Sequence, residues 1–482
     1  MFYKTKLFAI SLCLYKYKKP DMGINKKYLL TFLLLCFGLI PKYSFSQSWN
    51  KIGIAHPTTD WASTPALTID KNNTVYVAYL NYSGKASVMR YDGIAWLGVG
   101  TDNISAGEIS TCGEPIALAT DTNGRPYIAY QDTNYKATVM KYDGSNWVVV
   151  GNHGFSTGQP VGINMAIDKN NIPYVVYESL DSTLPGAIVM KYDGTNWVRL
   201  GAGLSTGYAN FTSIAIAPDG TPYIAFGDFN NGNKATVYKY TGTIWTIVGV
   251  ADFSTGAALY TSIAIDKNGT PYVAYQDQGI LSMPATVMKF NGSSWETVGS
   301  PGFSAGSASV TTLALDTIGN PYVSYSDGAT ANNQATVMKY TGSTWTTVGT
   351  AGFSVAAVGF TPILIDHNGI PYVACTDTTT GNARIAVMKF NNLAEINYIG
   401  SKPANVMNLF PYPNKGSFTI NILSNVNEEA IVTITNSAGI QFKQMTISTN
   451  TQTQLQLQLP HGIYFINATL KDEKLISKIL IE

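Results

Sequence analysis

A stretch of about ten residues occurs seven times in the chain with small changes, and its spacing limits the folds that the chain can adopt. The copy at 266–275 reads DKNGTPYVAY, and its first tyrosine marks the equivalent position in every copy. These tyrosines are Tyr76, Tyr127, Tyr174, Tyr223, Tyr272, Tyr322 and Tyr372. Their spacings of 51, 47, 49, 49, 50 and 50 residues match the length of a propeller blade built from four short strands.

One repeat shows how such a blade would be built. Residues 262–299 contain four short apolar or β-branched runs, SIAID, TPYVAY, ATVMKF and WETVG, and we name the corresponding strands a, b, c and d. Turn residues separate a from b and c from d, including Asn268–Gly269 and Asn291–Gly292. Asn-Gly pairs accept the positive φ angles that tight hairpins between twisted strands need. The repeat therefore predicts an all-β fold with seven four-stranded blades.

A tryptophan in strand d marks the repeat a second time, but out of phase with the tyrosine. The tryptophans are Trp49, Trp96, Trp147, Trp197, Trp245, Trp295 and Trp345. The chain thus begins within a repeat, at QSWNKIGI, and its last repeat lacks a tryptophan of its own. We expect the N-terminal strand to complete the last blade and close the ring, which removes exposed sheet edges. Core packing is the expected role of these tryptophans, and sugar stacking is the alternative.

The N-terminal extension, residues 1–46, reads as an export signal. Basic residues in 22–27 precede an apolar run at 28–40, and small residues indicate cleavage between Ser46 and Gln47. Met22 is a possible true start. The run is too short to span a membrane, and no later segment qualifies. Removing the extension's eight lysines and one aspartate leaves 23 basic and 29 acidic residues, a net charge of −6, which argues against nucleic-acid binding.

The loops between strands b and c vary among the repeats, and they share one face of the predicted disc with the connections between blades. Strand b ends in an aspartate in five blades, and Glu178 stands one position earlier in another. The connections carry a Ser within motifs such as FSTG at 155–158. The candidate ligand-binding residues are Asp132, Asp228, Asp277, Asp327, Asp377, Ser156, Ser205, Ser254, Ser304 and Ser354.

These carboxylates and hydroxyls have two interpretations. They are suited to hydrogen-bonding a sugar or to chelating Ca²⁺ once per blade. Alternatively, each aspartate caps its own loop backbone and each connection aromatic fills a gap between blades. No cofactor is otherwise expected. The histidines are scattered, and the sequence lacks a zinc-binding pair, a phosphate loop and a nucleophile elbow, so no catalytic residue is assigned.

After the propeller region, residues 47–400, the composition changes. Residues 401–407 read as a linker, and 408–482 contain alternating patterns such as TINI and VTIT that are typical of sandwich strands. This segment resembles the C-terminal sorting domain of the bacterial type IX secretion system. Its Pro-Asn-Pro-x-x-Gly-x-Phe motif matches at Pro411, Pro413, Gly416 and Phe418, with Tyr412 in place of the asparagine, and Gly462 and Tyr464 match a later motif.

The resemblance implies a small immunoglobulin-like β-sandwich that the secretion machinery of a Bacteroidota-type bacterium recognises and typically removes. A second β-domain with a binding role is the alternative for this segment. Together these features predict a secreted or surface-attached, monomeric propeller that binds carbohydrate or another extracellular polymer. A glycan-degrading hydrolase or lyase and a purely structural surface protein remain alternatives, because the sequence does not identify the ligand.

Overall fold

The computed structural model describes residues 48–481 with gaps at 54–55, 59, 110–115, 182, 202–203, 206, 379–381, 392–405, 411–415, 425, 437–438 and 472–473. The described strands lie in two compact units, residues 48–391 and 406–481. In the first half of the propeller the strands are β1 (Ser48–Lys51), β2 (Ala62–Ile69), β3 (Val75–Asn81), β4 (Ala86–Tyr91), β5 (Trp96–Gly98), β6 (Ile116–Thr120), β7 (Pro126–Gln131), β8 (Ala137–Tyr142), β9 (Trp147–Val149), β10 (Pro160–Ile167), β11 (Pro173–Ser179), β12 (Gly186–Tyr192) and β13 (Trp197–Arg199).

The remaining propeller strands are β14 (Ala209–Ile216), β15 (Pro222–Asp228), β16 (Lys234–Tyr240), β17 (Trp245–Ile247), β18 (Ala258–Ile265), β19 (Pro271–Asp277), β20 (Ala285–Phe290), β21 (Trp295–Thr297), β22 (Ala308–Leu315), β23 (Pro321–Asp327), β24 (Gln334–Tyr340), β25 (Trp345–Thr347), β26 (Ile363–Ile365), β27 (Pro371–Asp377) and β28 (Arg384–Asn391). A short 3₁₀ turn covers Phe229–Asn231. The described part of the chain contains no helix that is long and apolar enough to cross a membrane.

These strands form seven antiparallel four-stranded sheets, which confirms the predicted propeller. Six blades are consecutive in the sequence, from β2–β5 (blade 1) to β22–β25 (blade 6). Blade 7 has the order β1-β28-β27-β26, so the N-terminal strand supplies its fourth strand. Trp49 pairs with Phe390 in this sheet as Trp96 pairs with Tyr91 in blade 1. The expected closure of the ring by the N-terminal strand is therefore confirmed.

The turn between strands a and b is built by the same aspartate in most blades. In blade 5, Asp266 Oδ1 accepts hydrogen bonds from the backbone N–H groups of Asn268 and Thr270, at 2.9 and 2.8 Å. Gly269 follows with φ of +84°, a conformation that glycine adopts without steric cost. This local chemistry explains why the DKNG sequence recurs and why this face of the disc is nearly constant.

Each blade is joined to the preceding one by its tryptophan. The indole Nε1 donates to a backbone carbonyl of the preceding blade at 2.5–3.1 Å in all seven cases. The acceptors are the carbonyls of Val348, Ile52, Val99, Val150, Leu200, Val248 and Val298 for Trp49, Trp96, Trp147, Trp197, Trp245, Trp295 and Trp345. The tryptophans thus serve packing and blade-to-blade hydrogen bonding.

The phenylalanine of the connection between blades completes this contact. Phe303 stacks on Trp345 with ring centroids 3.9 Å apart, and Phe353 stacks on Trp49 at 4.3 Å. The same pairing joins Phe155 to Trp197. The aromatic residue of the connection therefore fills the gap between blades, as one of the two interpretations of this motif predicted.

The second unit packs two sheets around one core. Its strands are β29 (Val406–Phe410), β30 (Ser417–Leu423), β31 (Glu429–Asn436), β32 (Gln441–Ser448), β33 (Gln452–Gln456), β34 (Gly462–Thr469) and β35 (Lys474–Ile481). The sheet orders are β29-β30-β33 and β32-β31-β34-β35. Side chains from both sheets, including Phe418, Ile420, Val432 and Ile466, are buried together, which confirms the predicted sandwich.

Replacing Trp49 by alanine should lower the free energy of unfolding by about 3–5 kcal/mol, because truncating a buried aromatic side chain leaves a cavity. The variant also loses the indole donor to Val348. Urea unfolding of the purified protein measures this change. Trp61→Ala is the control, because Trp61 is 38% exposed and its loss should change stability by less than about 0.5 kcal/mol. Equal stability of the two variants would contradict closure of the ring through Trp49.

Candidate functional site

The aspartates at the ends of the b strands bind their own loops. Asp132 accepts hydrogen bonds from the backbone N–H groups of Asn134 and Lys136 at 2.9 and 3.1 Å, and from the Thr138 hydroxyl at 2.9 Å. Asp277 accepts from Gly279 N and the Thr286 hydroxyl at 2.9 and 3.0 Å. Both carboxylate oxygens are therefore engaged within the loop region of their own blade.

The other three aspartates are also engaged. Asp327 accepts from Ala329 N and the Thr336 hydroxyl at 2.9 and 2.8 Å. Asp228 accepts from Asn230 N at 3.1 Å and from the Asn231 side chain at 3.2 Å. Asp377 Oδ2 lies 3.4 Å from His56 Nε2. Asp228, Asp277, Asp327 and Asp377 are all buried.

The serines of the blade connections are likewise part of the backbone network. Ser304 Oγ accepts from Ala285 N at 2.9 Å and donates to the Gly306 carbonyl at 2.7 Å. Ser156, Ser205, Ser254 and Ser354 make the same pair of bonds in their blades, and Ser105 does so in blade 1. Each serine thereby ties a blade connection to the start of strand c.

The aspartate and serine regions are joined through a threonine in three blades. Gly302 N donates to the Thr286 hydroxyl at 2.9 Å, and that hydroxyl donates to Asp277. Blades 2 and 6 repeat the arrangement. These contacts favour the architectural interpretation of the repeated residues. A ligand or Ca²⁺ site at each blade stays a prediction, and the described residues contain no cluster of three or more metal-ligating His, Cys, Asp or Glu side chains.

A different site lies at the axis of the ring. The first strands of the seven blades, or the residues just before them, line a cavity of about 530 Å³. Three aromatic side chains contribute to its wall, Phe211, Tyr260 and Phe360. Among the described residues that line it, Glu178 is the only acidic side chain, and none is Lys, Arg or His.

The cavity wall is shaped by bulges in strand a. In blade 5 the pairing of β18 with β19 shifts between Leu259 and Ser262, so that two residues oppose one. The first bulge residue has positive φ in five blades: Thr64 (50°), Gly162 (59°), Phe211 (57°), Tyr260 (54°) and Val310 (49°). This conformation is unfavourable for bulky or β-branched side chains, and such strain is concentrated at functional sites.

A threonine joins neighbouring blades around the cavity. It is the second bulge residue in blades 4, 5 and 6, and in blade 7 it precedes β26. The Thr212, Thr311 and Thr361 hydroxyls donate to the carbonyls of Gly162, Tyr260 and Val310 at 3.2, 2.7 and 3.1 Å. Thr261 donates in the same way to the Phe211 carbonyl. A hydroxyl group has one proton, so these four hydroxyls can only accept further hydrogen bonds.

Glu178 is the exceptional group of this site. It lies one residue before the end of β11, close to the variable loops, and pairs with Val161 and Ala187 on the neighbouring strands. Burial raises the pKa of its carboxyl to about 7. No hydrogen bond or ion pair of the Glu178 side chain is found within the part of the chain that the structure describes, and a half-buried carboxyl with a raised pKa is typical of functional sites.

Sequence reasoning placed Glu178 with the loop aspartates, and the structure assigns it differently. The aspartates stand five residues after the repeat tyrosine, whereas Glu178 stands four residues after Tyr174. Successive side chains of a strand point to opposite faces, so Glu178 lines the axial cavity and Ser179 occupies the aspartate position. Blades 2 and 5 have Gln131 and Gln276 at the position of Glu178. The one-residue offset is visible in the sequence, and its consequence for the face that Glu178 meets follows from the strand pairing.

The strands form a closed propeller, and a β-sandwich follows it in the sequence. A match to a known family identifies the β-sandwich. Residues 408–482 match the family described as "Secretion system C-terminal sorting domain". The last domain of this protein is thus a type IX secretion sorting domain, and it indicates export to the cell surface or the extracellular space. No curated protein matches the chain.

Solved structures with similar folds include propellers of several kinds. The Aleuria aurantia lectin is 16% identical, with a TM-score of 0.42, and the match covers 61% of this chain and 99% of that one. PorZ, a bacterial surface component of the type IX secretion system of Porphyromonas gingivalis, is 12% identical, with a TM-score of 0.43, over 87% of this chain and 59% of that one. Polysaccharide lyase Uly1 is 12% identical, with a TM-score of 0.47, over 73% and 93% of the two chains.

The sorting-motif residues that the structure describes have structural roles. Gly416 has φ of +87°, and a Cβ there would lie 2.2 Å from the Leu457 carbonyl oxygen. Phe418 is buried in the sandwich core, and the Tyr464 hydroxyl donates to the Pro460 carbonyl at 2.9 Å. Gly462 begins β34. Pro411 and Pro413, as well as the predicted cleavage site between Ser46 and Gln47, lie outside the described residues.

Replacing Ser304 by alanine should destabilise the protein by about 1–3 kcal/mol, because the buried Ala285 N–H and the partly buried Gly306 carbonyl lose their bonds. Chemical unfolding followed by tryptophan fluorescence measures the change. Ser293→Ala, on an exposed turn of the same blade, is the control and should stay within about 0.5 kcal/mol of the wild type. A Ser304→Ala protein with unchanged stability would contradict the architectural role of the repeated serine.

Proposed function

We propose that the protein is an exported binding module that takes part of an extracellular carbohydrate into its axial cavity. The observation that carries this proposal is the cavity itself. Its volume of about 530 Å³ falls within the range of small-molecule sites, which combine apolar walls with a few oriented polar groups. The aromatic rings and hydrogen-bond acceptors of its wall suit the apolar faces and hydroxyl groups of a sugar ring.

The variable loops offer further contacts for a polymer longer than the cavity. Tyr82, Tyr135 and Phe229 lie in the b–c loops of blades 1, 2 and 4 and are 79%, 57% and 52% exposed. Exposed aromatic side chains combine contact area with little conformational entropy, which suits a binding surface. We therefore place the rest of the ligand on this face.

A glycan-cleaving enzyme is the second candidate, and one observation favours it. The pKa of Glu178, raised by burial to about 7, is matched to general acid–base work near neutral pH. The wild-type protein would then release reducing or unsaturated sugar ends from a glycan, and Glu178→Gln would not. That result would establish this activity. Binding without any new chain ends would favour the binding module.

Gly162→Phe should reduce carbohydrate binding at least about tenfold, equivalent to roughly 1.4 kcal/mol. No atom lies within 4 Å of a Cβ added at Gly162, so the new ring would enter open space. The chain already carries Phe211 and Tyr260 at equivalent bulges with the same positive φ, so the variant is expected to fold. Binding is measured on an array of bacterial, algal and plant polysaccharides, first with calcium and then with EDTA.

Asp277→Asn is the matched comparison for a site on the loops. It should leave carbohydrate binding unchanged if the ligand enters the axis, and thermal unfolding verifies that both variants are folded. Loss of binding in Asp277→Asn with full retention in Gly162→Phe would reverse the proposal in favour of one site per blade. Loss of carbohydrate binding in EDTA would indicate that binding requires a metal ion. A wild-type protein that binds nothing on the array would contradict the carbohydrate proposal altogether.

A further inference from the structure

Glu178 lacks a positive partner in the described surroundings of its strand. β10 and β14, which pack against β11, contain no ionisable side chain. β12 carries Lys191 and Tyr192 at its far end, where Lys191 pairs with Tyr174. β7 contributes only Tyr127 and Tyr130. A half-buried carboxylate without a partner costs folding free energy, and its retention at the mouth of a cavity points to a partner supplied by the ligand.

Four threonines of the wall offer hydrogen-bond acceptors to a ligand. Thr212, Thr261, Thr311 and Thr361 have committed their protons to carbonyls of neighbouring blades. The remaining capacity of these threonine hydroxyls is to accept hydrogen bonds. An ammonium group offers three donors and no acceptor, whereas a carboxylate or sulfate offers acceptors alone.

Aromatic rings complete an environment that suits a cation. Phe211 and Tyr260 lie in contact, with ring centroids 4.8 Å apart, and Phe360 lines the same cavity. The faces of aromatic rings attract cations, and the attraction is stronger in a site that is partly removed from water. The carboxylate and the aromatic rings thus agree on the sign of the charge that the cavity accepts.

We propose that the axial cavity recognises the ammonium group of a deacetylated amino-sugar polymer, with Glu178 as its anionic partner and the aromatic wall around it. This inference rests on the proposed carbohydrate-binding function and specifies its ligand class. It implies discrimination against uronic-acid and sulfated glycans, because the described wall provides no cation to neutralise them. It also implies discrimination against the N-acetylated form of the same polymer, because the acetamide is neutral.

The test compares chitosan oligosaccharides with their fully N-acetylated counterparts, which share the same backbone. Isothermal titration calorimetry at pH 7 with the wild-type protein should give at least about tenfold tighter binding of the free-amine oligomer, since hydrogen bonds to charged groups are the stronger ones. In Glu178→Gln that preference should disappear. Gln131 and Gln276 occupy the same blade position, so this variant introduces a side chain that the fold already accommodates.

The pH profile separates a direct charge interaction from a structural effect. Binding needs an ionised carboxyl and a protonated amine, so wild-type affinity for the free-amine oligomer should pass through a maximum. Because burial raises the pKa of Glu178 to about 7, the acidic limb reports its protonation. Glu178→Gln should lose this limb. The variant should also be at least as stable as the wild type above pH 7, where the wild-type carboxylate carries its full burial cost.

The other outcomes distinguish a failure of the ammonium inference from a failure of the carbohydrate-binding proposal. If both oligomers bind equally, and Glu178→Gln changes neither while Gly162→Phe abolishes both, the ammonium inference is wrong and the carbohydrate site stands. Tighter binding of sulfated or uronic glycans would overturn the inference in the same way. If the wild-type protein binds neither oligomer but binds neutral glycans, the inference also fails. If it binds no glycan, the proposed function fails with it.

Discussion

The whole propeller depends on the contact between each tryptophan and the preceding blade. The indole donates to a backbone carbonyl of that blade at all seven junctions, and the junction between Trp49 and Val348 lies 299 residues apart in sequence. The glycine next to that carbonyl leaves room for the indole: a Cβ at Gly349 would lie 3.2 Å from Trp49 Cδ1. Because a blade cannot bury its own faces, the junctions make it stable only within the ring. Closure through the N-terminal strand gives the last blade the same junction as the others.

The joined blades hold strained backbone conformations at the centre of the ring. The bulge residues Phe211, Tyr260 and Val310 hold positive φ angles that cost free energy unless the surroundings enforce them. The threonine bonds between adjacent blades fix the carbonyls of these same residues. The same junctions between blades therefore hold the strained wall and consume the protons of these threonine hydroxyls.

In this molecule the repeated polar residues have architectural roles, and the candidate binding residue is not repeated. The aspartates and serines that recur in the loops are explained by bonds to their own blade, and recurrence is what an architectural role requires. Glu178 breaks the pattern at a position where the other blades have leucine, glutamine, glycine, serine or threonine. It has no described structural partner, and its environment raises the cost of its charge. In a repeat protein the side chain that departs from the repeat without a structural reason is the stronger indication of a binding site.

The sequence by itself determined the number of blades, the closing strand and the sorting domain. The blades follow from local turn chemistry and strand alternation that repeat every 47 to 51 residues, and the sorting domain follows from the spacing of its own motif. It could not determine which polar groups remain free, because Ser304, Asp277 and Thr311 are satisfied by partners up to 51 residues away. Nor could it predict the bulges, since phenylalanine, tyrosine and valine give no local signal for positive φ. Only the tertiary structure placed Glu178 at the axis, because a bulge and a one-residue offset decide which face of a strand meets the cavity.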